Sequence, residues 1–416
     1  MARFIMSGGE ELKGEISISG AKNAALPIMA ATLLSEGDCI IENVPGLKDV
    51  RTMSFILRTI GARVEEGKNT LRIIPPQSLH YEVPYELVKT MRASVLVLGP
   101  LISRLKKARV SLPGGCAIGV RPINLHLKGL MKLGASIRIK EGYVEAQTSG
   151  LKGARIYLDT QSVGATENLI MAATLASGTT YIENAAKEPE IVDLANFLNR
   201  MGAKIKNAGS DIIEITGVPN LKGANYTVIP DRIEAGTFMI GCAITGGEVT
   251  LRNVRPDHLE AIITKLQEMG VEILSSGEVI HVKGNKELQA VEVKTMPHPG
   301  FPTDLQPQIM SLASVCKGTS VITEDIFENR FIHAGELQRM GADIEIKGNT
   351  AFVRGVPGLN GASVMASDIR AGAALVIAGL IARPETRISR IYHIDRGYEE
   401  IEKKLQILGA KIKRIQ

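Results

Sequence analysis

The sequence predicts an α/β fold of mixed (α+β) layout, two lobes each built from three repeated βαβαββ units. Three observations carry that expectation. An apolar-Gly pair recurs at a near-constant interval, the glycine closes an amphipathic helical pattern, and two short alternating segments split by a polar turn follow it. The pairs open IGARVE at 60, LGASIRI at 133, MGAKIKN at 201, MGVEILS at 269, MGADIEI at 340 and LGAKIKR at 408, with gaps of 73, 68, 68, 71 and 68 residues between glycines. One unit of about 70 residues is present six times.

Within each repeat the elements follow in order. An extended segment (EISIS, RIYLD, NYTVI) comes first and a helix of small residues such as KNAALPIMAATLL second. An alternating strand follows (CIIEN, VTLRN, SVITED), and then the amphipathic helix. In the fourth repeat Leu259, Ile262, Ile263, Leu266 and Met269 form its single apolar stripe. The glycine after that helix is the left-handed residue that ends it at little steric cost. A hairpin such as TLRIIP or DIIEITG closes the unit, and the strand-helix-strand crossovers imply parallel pairing.

The last repeat stops at KIKRIQ, one hairpin strand short. The other end of the chain supplies a match, since ARFIMSGGEELKGEISISGAK follows the pattern of DIIEITGVPNLKGANYTVIPDR. Residues Ala2 to Ser7 are therefore expected to complete the sixth unit. The expected lobes are residues 21–229 and residues 1–20 plus 230–416, with the chain crossing between them twice.

Composition narrows the function. The chain has 416 residues, 44% hydrophobic and 22% charged, which excludes collagen-like, mucin-like and disordered classes. Aromatic residues make up only 4% and there is no Trp, so nucleic-acid binding by base stacking is not expected. Forty-nine basic against 44 acidic residues leave +5, spread along the chain, which suits small anionic ligands. The longest uncharged apolar run, Ala371 to Ala382, has 12 residues, short of the roughly 20 of a membrane helix. The N-terminal MARFIMSGGEELKG has no apolar signal core, so a cytoplasmic location is expected and no membrane partner. The four cysteines lack zinc spacing, and no metal is called for.

The loops distinguish the repeats. At the start of the small-residue helix stand Lys22 and Asn23, Arg92, Ser162 to Gly164, Arg232, Asp304, and Asp368 to Arg370. The loop after the middle strand holds Cys116 and Arg121 in the second repeat, Arg330 in the fifth and Arg396 in the sixth. Their chemistry differs while the scaffold residues agree, as an asymmetric ligand in a symmetric frame requires. Helix starts also offer free N–H groups to phosphates and carboxylates.

Cys116 lies in LPGGCAIGVRP, glycine-rich and with Arg121 nearby, and is the candidate reactive thiol. Cys39, Cys242 and Cys316 lie in apolar strand or helix segments and read as core residues. Asp304 opens a helix after Gly-Phe-Pro and reads either as an N-cap or as an ionised base beside arginines. Lys22 and Arg396 taken singly read as surface charges, and His126 reads either as a helix-surface histidine or as a ligand contact.

The segments SGAKNAALPIMAATLL, LPGGCAIGVRPINLHLKGL, DTQSVGATENL, PDRIEAGTFM, GFPTDLQPQ, FENRFIHAGELQRMGA, ASDIRAGAALVIAGL and HIDRGYEEIEKKLQILGA closely resemble the enolpyruvyl transferases, specifically those acting on UDP-N-acetylglucosamine. The match runs end to end. The resemblance implies two lobes of three βαβαββ units, an inside-out α/β barrel. It also implies transfer of enolpyruvyl from phosphoenolpyruvate to the 3′-hydroxyl of UDP-N-acetylglucosamine with release of phosphate, the first committed step of peptidoglycan synthesis, without metal or organic cofactor.

Residue roles come with it. Cys116 corresponds to the cysteine that protonates C3 of phosphoenolpyruvate, can hold a covalent adduct and is alkylated by fosfomycin. Asp304 corresponds to the base for the 3′-hydroxyl. Lys22, Arg121 and Arg396 match phosphoenolpyruvate-binding cations, supported by Asn23, Arg330 and Arg370. Arg92, the stretch Arg121, Pro122, Ile123, Asn124 and Leu125, then Ser162, Val163 and Gly164, and the backbone near Ile326 match the UDP-sugar contacts, which Asn23 and Asp304 share. Asn124 stands where many relatives carry an acidic residue, a departure that touches nucleotide recognition.

Two rival readings differ in what they require. A shikimate-pathway synthase shares fold and donor but lacks the loop cysteine, so Cys116 and SVGATENL favour the UDP-sugar reaction. A symmetric clamp or binding scaffold requires similar basic residues in all six repeats, which the loops do not show. Nothing in the residues sets an oligomeric state.

Overall fold

The computed structural model describes residues 2–76, 78–89, 91–112 and 123–416. Its strands form six four-stranded sheets of one topology. In the third repeat Arg155–Tyr157 runs parallel to the middle strand Thr179–Glu183, whose other side pairs antiparallel with Ile212–Thr216. Lys204–Lys206 completes the hairpin at the edge. Alternation fixes the register, since Ile182 and Ile213 face each other on the buried side.

The glycines that mark the period behave as the sequence requires. Gly61, Gly134, Gly202, Gly270, Gly341 and Gly409 all have φ between 93° and 110°, a region that costs a side chain dearly. Before them the amphipathic helices bury one stripe, as Leu259, Ile262, Leu266 and Met269 do around the helix Glu260–Glu268.

The small-residue helices are buried on all sides. In the helix Ile369–Gly379 every residue from Arg370 to Gly379 is buried, and it packs against the equivalent helices Gln306–Ala313 and Arg232–Thr245. Glycine permits that approach: a Cβ on Gly236 would lie 2.5 Å from Leu305 Cδ1, and one on Gly372 2.5 Å from Ile394 Cγ1. Helices that are apolar all round belong inside, and the one-faced sheets cover them. The second repeat, like the fifth with Thr303–Leu305 before Gln306–Ala313, varies the start of this helix. Its core helix begins as a 3-10 turn, Arg92–Val97, before Leu98–Leu105, and the Gly99 N–H donates to Asn168 Oδ1 at 2.6 Å.

Two compact units result, described residues 20–112 with 123–229, and residues 2–19 with 230–416, each with its own core. The N-terminal strand Arg3–Ser7 lies antiparallel between Thr386–Ser389 and Lys411–Ile415, with Ile5 facing Arg387 on one side and Lys413 on the other. It supplies the strand missing from the sixth repeat.

One assignment by sequence order is corrected. EISIS precedes the first repeat and NYTVI the fourth, yet the two strands are exchanged. Lys13–Ser17 pairs parallel with Glu248–Arg252 of the fourth repeat, and Asn225–Thr227 with Cys39–Glu42 of the first. Both strands alternate alike, so local pattern does not choose the partner.

Candidate active site

The positions singled out at helix starts occupy equivalent corners. Arg232 begins its helix behind the N-cap Asp231, which accepts from the Ile233 and Glu234 N–H groups at 2.8 and 3.0 Å. Asp368 caps the helix of the sixth repeat in the same way, accepting from the N–H groups of Arg370 and Ala371. Arg330 opens the 3-10 turn Arg330–His333, and Arg396 ends the turn Ile391–Arg396, half-buried.

Asp304 sits in the 3-10 turn Thr303–Leu305 and does not cap the helix Gln306–Ala313, whose start has no side-chain cap. Its carboxylate is instead held by two guanidinium groups, Oδ1 at 3.0 Å from Arg330 Nη2 and Oδ2 at 2.8 Å from Arg370 Nη2. Both arginines are buried, at 2% and 4% exposure, so each needs the opposite charge. Arg330 also donates from Nε and Nη2 to the Thr303 carbonyl. For Arg370, burial works against the charge, but the Asp304 carboxylate together with Tyr398 and Asp231 outweighs it, and the pKa is raised. Its Nη1 is buried with no hydrogen-bond partner among the described residues, a donor suited to an anionic ligand.

Behind this pair lies a polar knot with one residue from each repeat of the same unit. Tyr398, buried beneath the Arg370 guanidinium at 5.5 Å, shares hydrogen bonds with Thr237 Oγ1 (2.9 Å) and Gln308 Nε2 (3.0 Å). Gln308 Nε2 also donates to the Asp304 carbonyl at 3.0 Å. In the sequence only Thr237 stands out, as a polar residue within the apolar run AGTFMIG, whereas Gln308 in TDLQPQ and Tyr398 in DRGYEE carry no such signal. The backbone N–H of Ile326 is engaged by Glu324 Oε1 at 2.8 Å.

In the other unit Lys22 begins the helix Lys22–Ala31 and is buried, its Nζ 3.4 Å from Asp49 Oδ2. The surface-charge reading of Lys22 is thereby corrected: a buried ammonium is tolerable only beside a carboxylate such as Asp49, which the sequence did not single out. Asn23 is exposed and Arg92 half-buried. Ser162 caps the helix Val163–Ala173 by accepting from the Ala165 N–H at 3.3 Å. Asn124 is exposed at the start of the helix Asn124–Lys132, between half-buried Ile123 and Leu125.

His126 is not a surface histidine. It is 6% exposed, with Nδ1 3.0 Å from Asn168 Nδ2, and the place of a Cβ on Gly164 lies 3.4 Å from its ring. Burial, reinforced by the charge of Arg92, pulls its pKa down to about 4. The helix 124–132 turns this residue inward with Leu127 and Leu130, a face hidden by the polar composition of NLHLK.

Cys116, Arg121 and Pro122 lie outside the described residues. The other three cysteines are core residues, each at most 1% exposed, and burial pushes the thiols of Cys242 and Cys316 up to about 12. Among the described residues no cluster of His, Cys, Asp and Glu could hold a metal ion, and no helix is long and apolar enough to cross a membrane.

Comparison with known proteins places this geometry among relatives. The family model described as EPSP synthase (3-phosphoshikimate 1-carboxyvinyltransferase) matches residues 6–405. A UDP-N-acetylglucosamine 1-carboxyvinyltransferase of Geobacter metallireducens is 57% identical over 416 residues, with both chains fully covered. One of Geotalea uraniireducens is 56% identical over the same span, again with both chains fully covered. Among solved structures, the enolpyruvyl transferase NikO from Streptomyces tendae superimposes with a TM-score of 0.90 at 25% identity, covering 99% of this chain and 98% of that one. EPSP synthase from Acinetobacter baumannii shares the fold, with a TM-score of 0.78 at 21% identity over the whole of both chains.

Proposed function

The chain belongs to the enolpyruvyl transferase family and, within it, with the UDP-N-acetylglucosamine 1-carboxyvinyltransferases, and from that premise we propose that it transfers the enolpyruvyl group of phosphoenolpyruvate to the 3′-hydroxyl of UDP-N-acetylglucosamine. The 3′-oxygen adds to C2 while a proton adds to C3. The tetrahedral adduct then loses phosphate and a C3 proton, which leaves the enol ether. The observation that carries the reading is full-length identity of 57% to a relative bearing that activity in its name.

The proposed base is Asp304. Two guanidinium donors keep its carboxylate ionised, and the same negative charge stabilises the oxocarbenium character that protonation of C3 builds at C2. Cys116 is the proposed acid at C3 and the proposed site of alkylation by fosfomycin. Phosphoenolpyruvate carries a carboxylate and a phosphate, so Lys22, Arg121 and Arg396 are assigned to it, with Asn23, Arg330 and Arg370 in support. Buried Lys22 and the open Nη1 of Arg370 fit such ligands. Arg92, Arg121 to Leu125, Ser162 to Gly164 and the backbone at Ile326 are assigned to the UDP-sugar. The proposed location is the cytoplasm, a reducing compartment that suits the unpaired thiols of Cys39, Cys242 and Cys316.

The test is phosphate release with each acceptor in turn. Release is expected only when phosphoenolpyruvate and UDP-N-acetylglucosamine are both present; equal turnover with shikimate 3-phosphate, or none with either acceptor, would refute the proposal.

A further inference from the structure

The first turn of the helix Val163–Ala173 meets a histidine whose hydrogen-bonding state the structure defines. The Gly99 N–H donates to Asn168 Oδ1 at 2.6 Å, and this fixes the orientation of the amide, because an N–H has no use for an NH₂ group. Asn168 Nδ2 consequently faces two acceptors, the Val95 carbonyl at 3.0 Å and His126 Nδ1 at 3.0 Å. Since Nδ1 accepts, the neutral ring carries its proton on Nε2. That N–H has no partner among the described residues, although the side chain is more than nine-tenths buried.

Its direction is set by Gly164. A Cβ built on Gly164 would lie 3.4 Å from His126 Cε1 and 3.5 Å from Nε2, so the bare backbone of the helix start leaves this edge of the ring uncovered. Ser162 Oγ serves the Ala165 N–H, and the N–H groups of Val163 and Gly164 have no intrahelical carbonyl to reach. A helix start with free donors, a buried neutral donor aimed at it and the charge of Arg92 acting on the same ring make an anion site of defined polarity.

We propose that His126 is a further substrate-binding residue, donating from Nε2 to a phosphate oxygen of a nucleoside diphosphate held at the start of the helix Val163–Ala173, and that Asn168 is the positioning residue that fixes its tautomer. This rests on the UDP-sugar reading and deepens it. The neutral donor adds direction where an arginine adds charge, because a single N–H must point at its acceptor. It also accounts for a glycine at 164, where any side chain would cover Nε2.

Binding of UDP, uridine and inorganic phosphate by calorimetry, with ¹⁵N NMR of histidine, tests the proposal. In the unsubstituted protein His126 should show the Nε2–H tautomer, and UDP should bind more tightly than uridine. His126→Phe should weaken UDP about tenfold, the loss of one hydrogen bond to a charged group, and leave uridine unchanged. Gly164→Ala keeps the core intact and removes a flexible residue from a helix, so the fold persists while its methyl shields Nε2 and weakens UDP as well. Asn168→Asp should turn the ring to the Nδ1–H form and weaken UDP without altering uridine binding. An Nδ1–H tautomer in the unsubstituted protein, unchanged UDP affinity in both His126→Phe and Gly164→Ala, or a loss seen equally for inorganic phosphate alone would overturn it. Phosphate release by the unsubstituted protein separates the two levels. With turnover of UDP-N-acetylglucosamine intact, such a result removes only His126; without turnover, the reading beneath it fails too.

Discussion

The carboxylate of Asp304 accepts from Arg370 Nη2 at 2.8 Å, an ion pair that joins the fifth repeat to the sixth. Arg330 closes the other oxygen at 3.0 Å. A carboxylate so held is ionised and fixed in direction, two properties a general base needs.

Asp304→Asn keeps the shape and one acceptor oxygen but lacks the charge. Turnover should fall by about two to three orders of magnitude, with KM for both substrates changed only a few-fold, because the loss is confined to proton transfer and transition-state charge. Asp304→Ala should in addition cost about 3 kcal/mol of stability, since Arg330 and Arg370 are left without their shared counter-charge. Steady-state phosphate release and urea unfolding check the two effects separately. Unchanged kcat in Asp304→Asn removes Asp304 as the base.

The scaffold was legible because it is repeated. Six glycines at matching positions adopt the same left-handed backbone, and three asparagines that end middle strands, Asn43, Asn184 and Asn253, share φ near 55° and a side-chain bond to the first strand of their sheet or the residue just after it. The partner choice of Lys13–Ser17 and Asn225–Thr227 was not legible, since pairing between strands so distant along the chain, Lys13 with Glu248 and Asn225 with Ile40, leaves no trace in the local alternation. The site was half legible. Charged residues at helix starts stand out, whereas Asp49, Asn168, Gln308 and Tyr398 act on them from inside the core, where polar side chains gain meaning only from their partners.

Thiol chemistry should single out one residue. Cys39, Cys242 and Cys316 are buried, and the first of them too has its pKa raised by burial, so none offers an accessible thiolate near neutral pH. Incubation with fosfomycin should place the adduct on Cys116 alone, with UDP-N-acetylglucosamine speeding the reaction. Peptide mass spectrometry that finds it on any of the other three defeats the assignment.

Acid should weaken both units. Burial pulls His126 and His333 down to about 4, against an ordinary value of 6.5, with Arg92 adding to the effect at the first and Arg330 at the second, while Asp368 opposes it there. The unfolded chain therefore takes up these protons near pH 6.5 and the folded chain only near 4. Stability is complete above about pH 6.5 and is lost as pH falls toward 4, by up to about 3 kcal/mol for each ring. Urea midpoints measured between pH 7.5 and 5 should fall with pH, and a flat profile across that window contradicts the buried neutral state.

Removing residues 2–8 should unfold the unit that contains the sixth repeat while sparing the core of residues 20–229. The strand Arg3–Ser7 pairs on both sides, so its loss leaves Thr386–Ser389 and Lys411–Ile415 without a common neighbour. It also strips Phe4 and Met6, both nearly inaccessible, from that core, and the Gly8 N–H bond to the Ala382 carbonyl goes with them. Two large apolar side chains and a doubly paired strand amount to a loss on the order of 5 kcal/mol, comparable with the whole stability of a small domain. None of these side chains belongs to the other core, which should keep its helical circular dichroism and resist protease. A synthetic peptide of residues 2–12 added to the truncated chain should restore the missing pairing, since the strand is held by main-chain bonds on two edges and by alternate side chains facing inward. A truncated chain that melts as one unit at the original temperature would mean that the sixth sheet closes without its N-terminal strand, and the repeat count on which the fold rests would then be wrong by that strand.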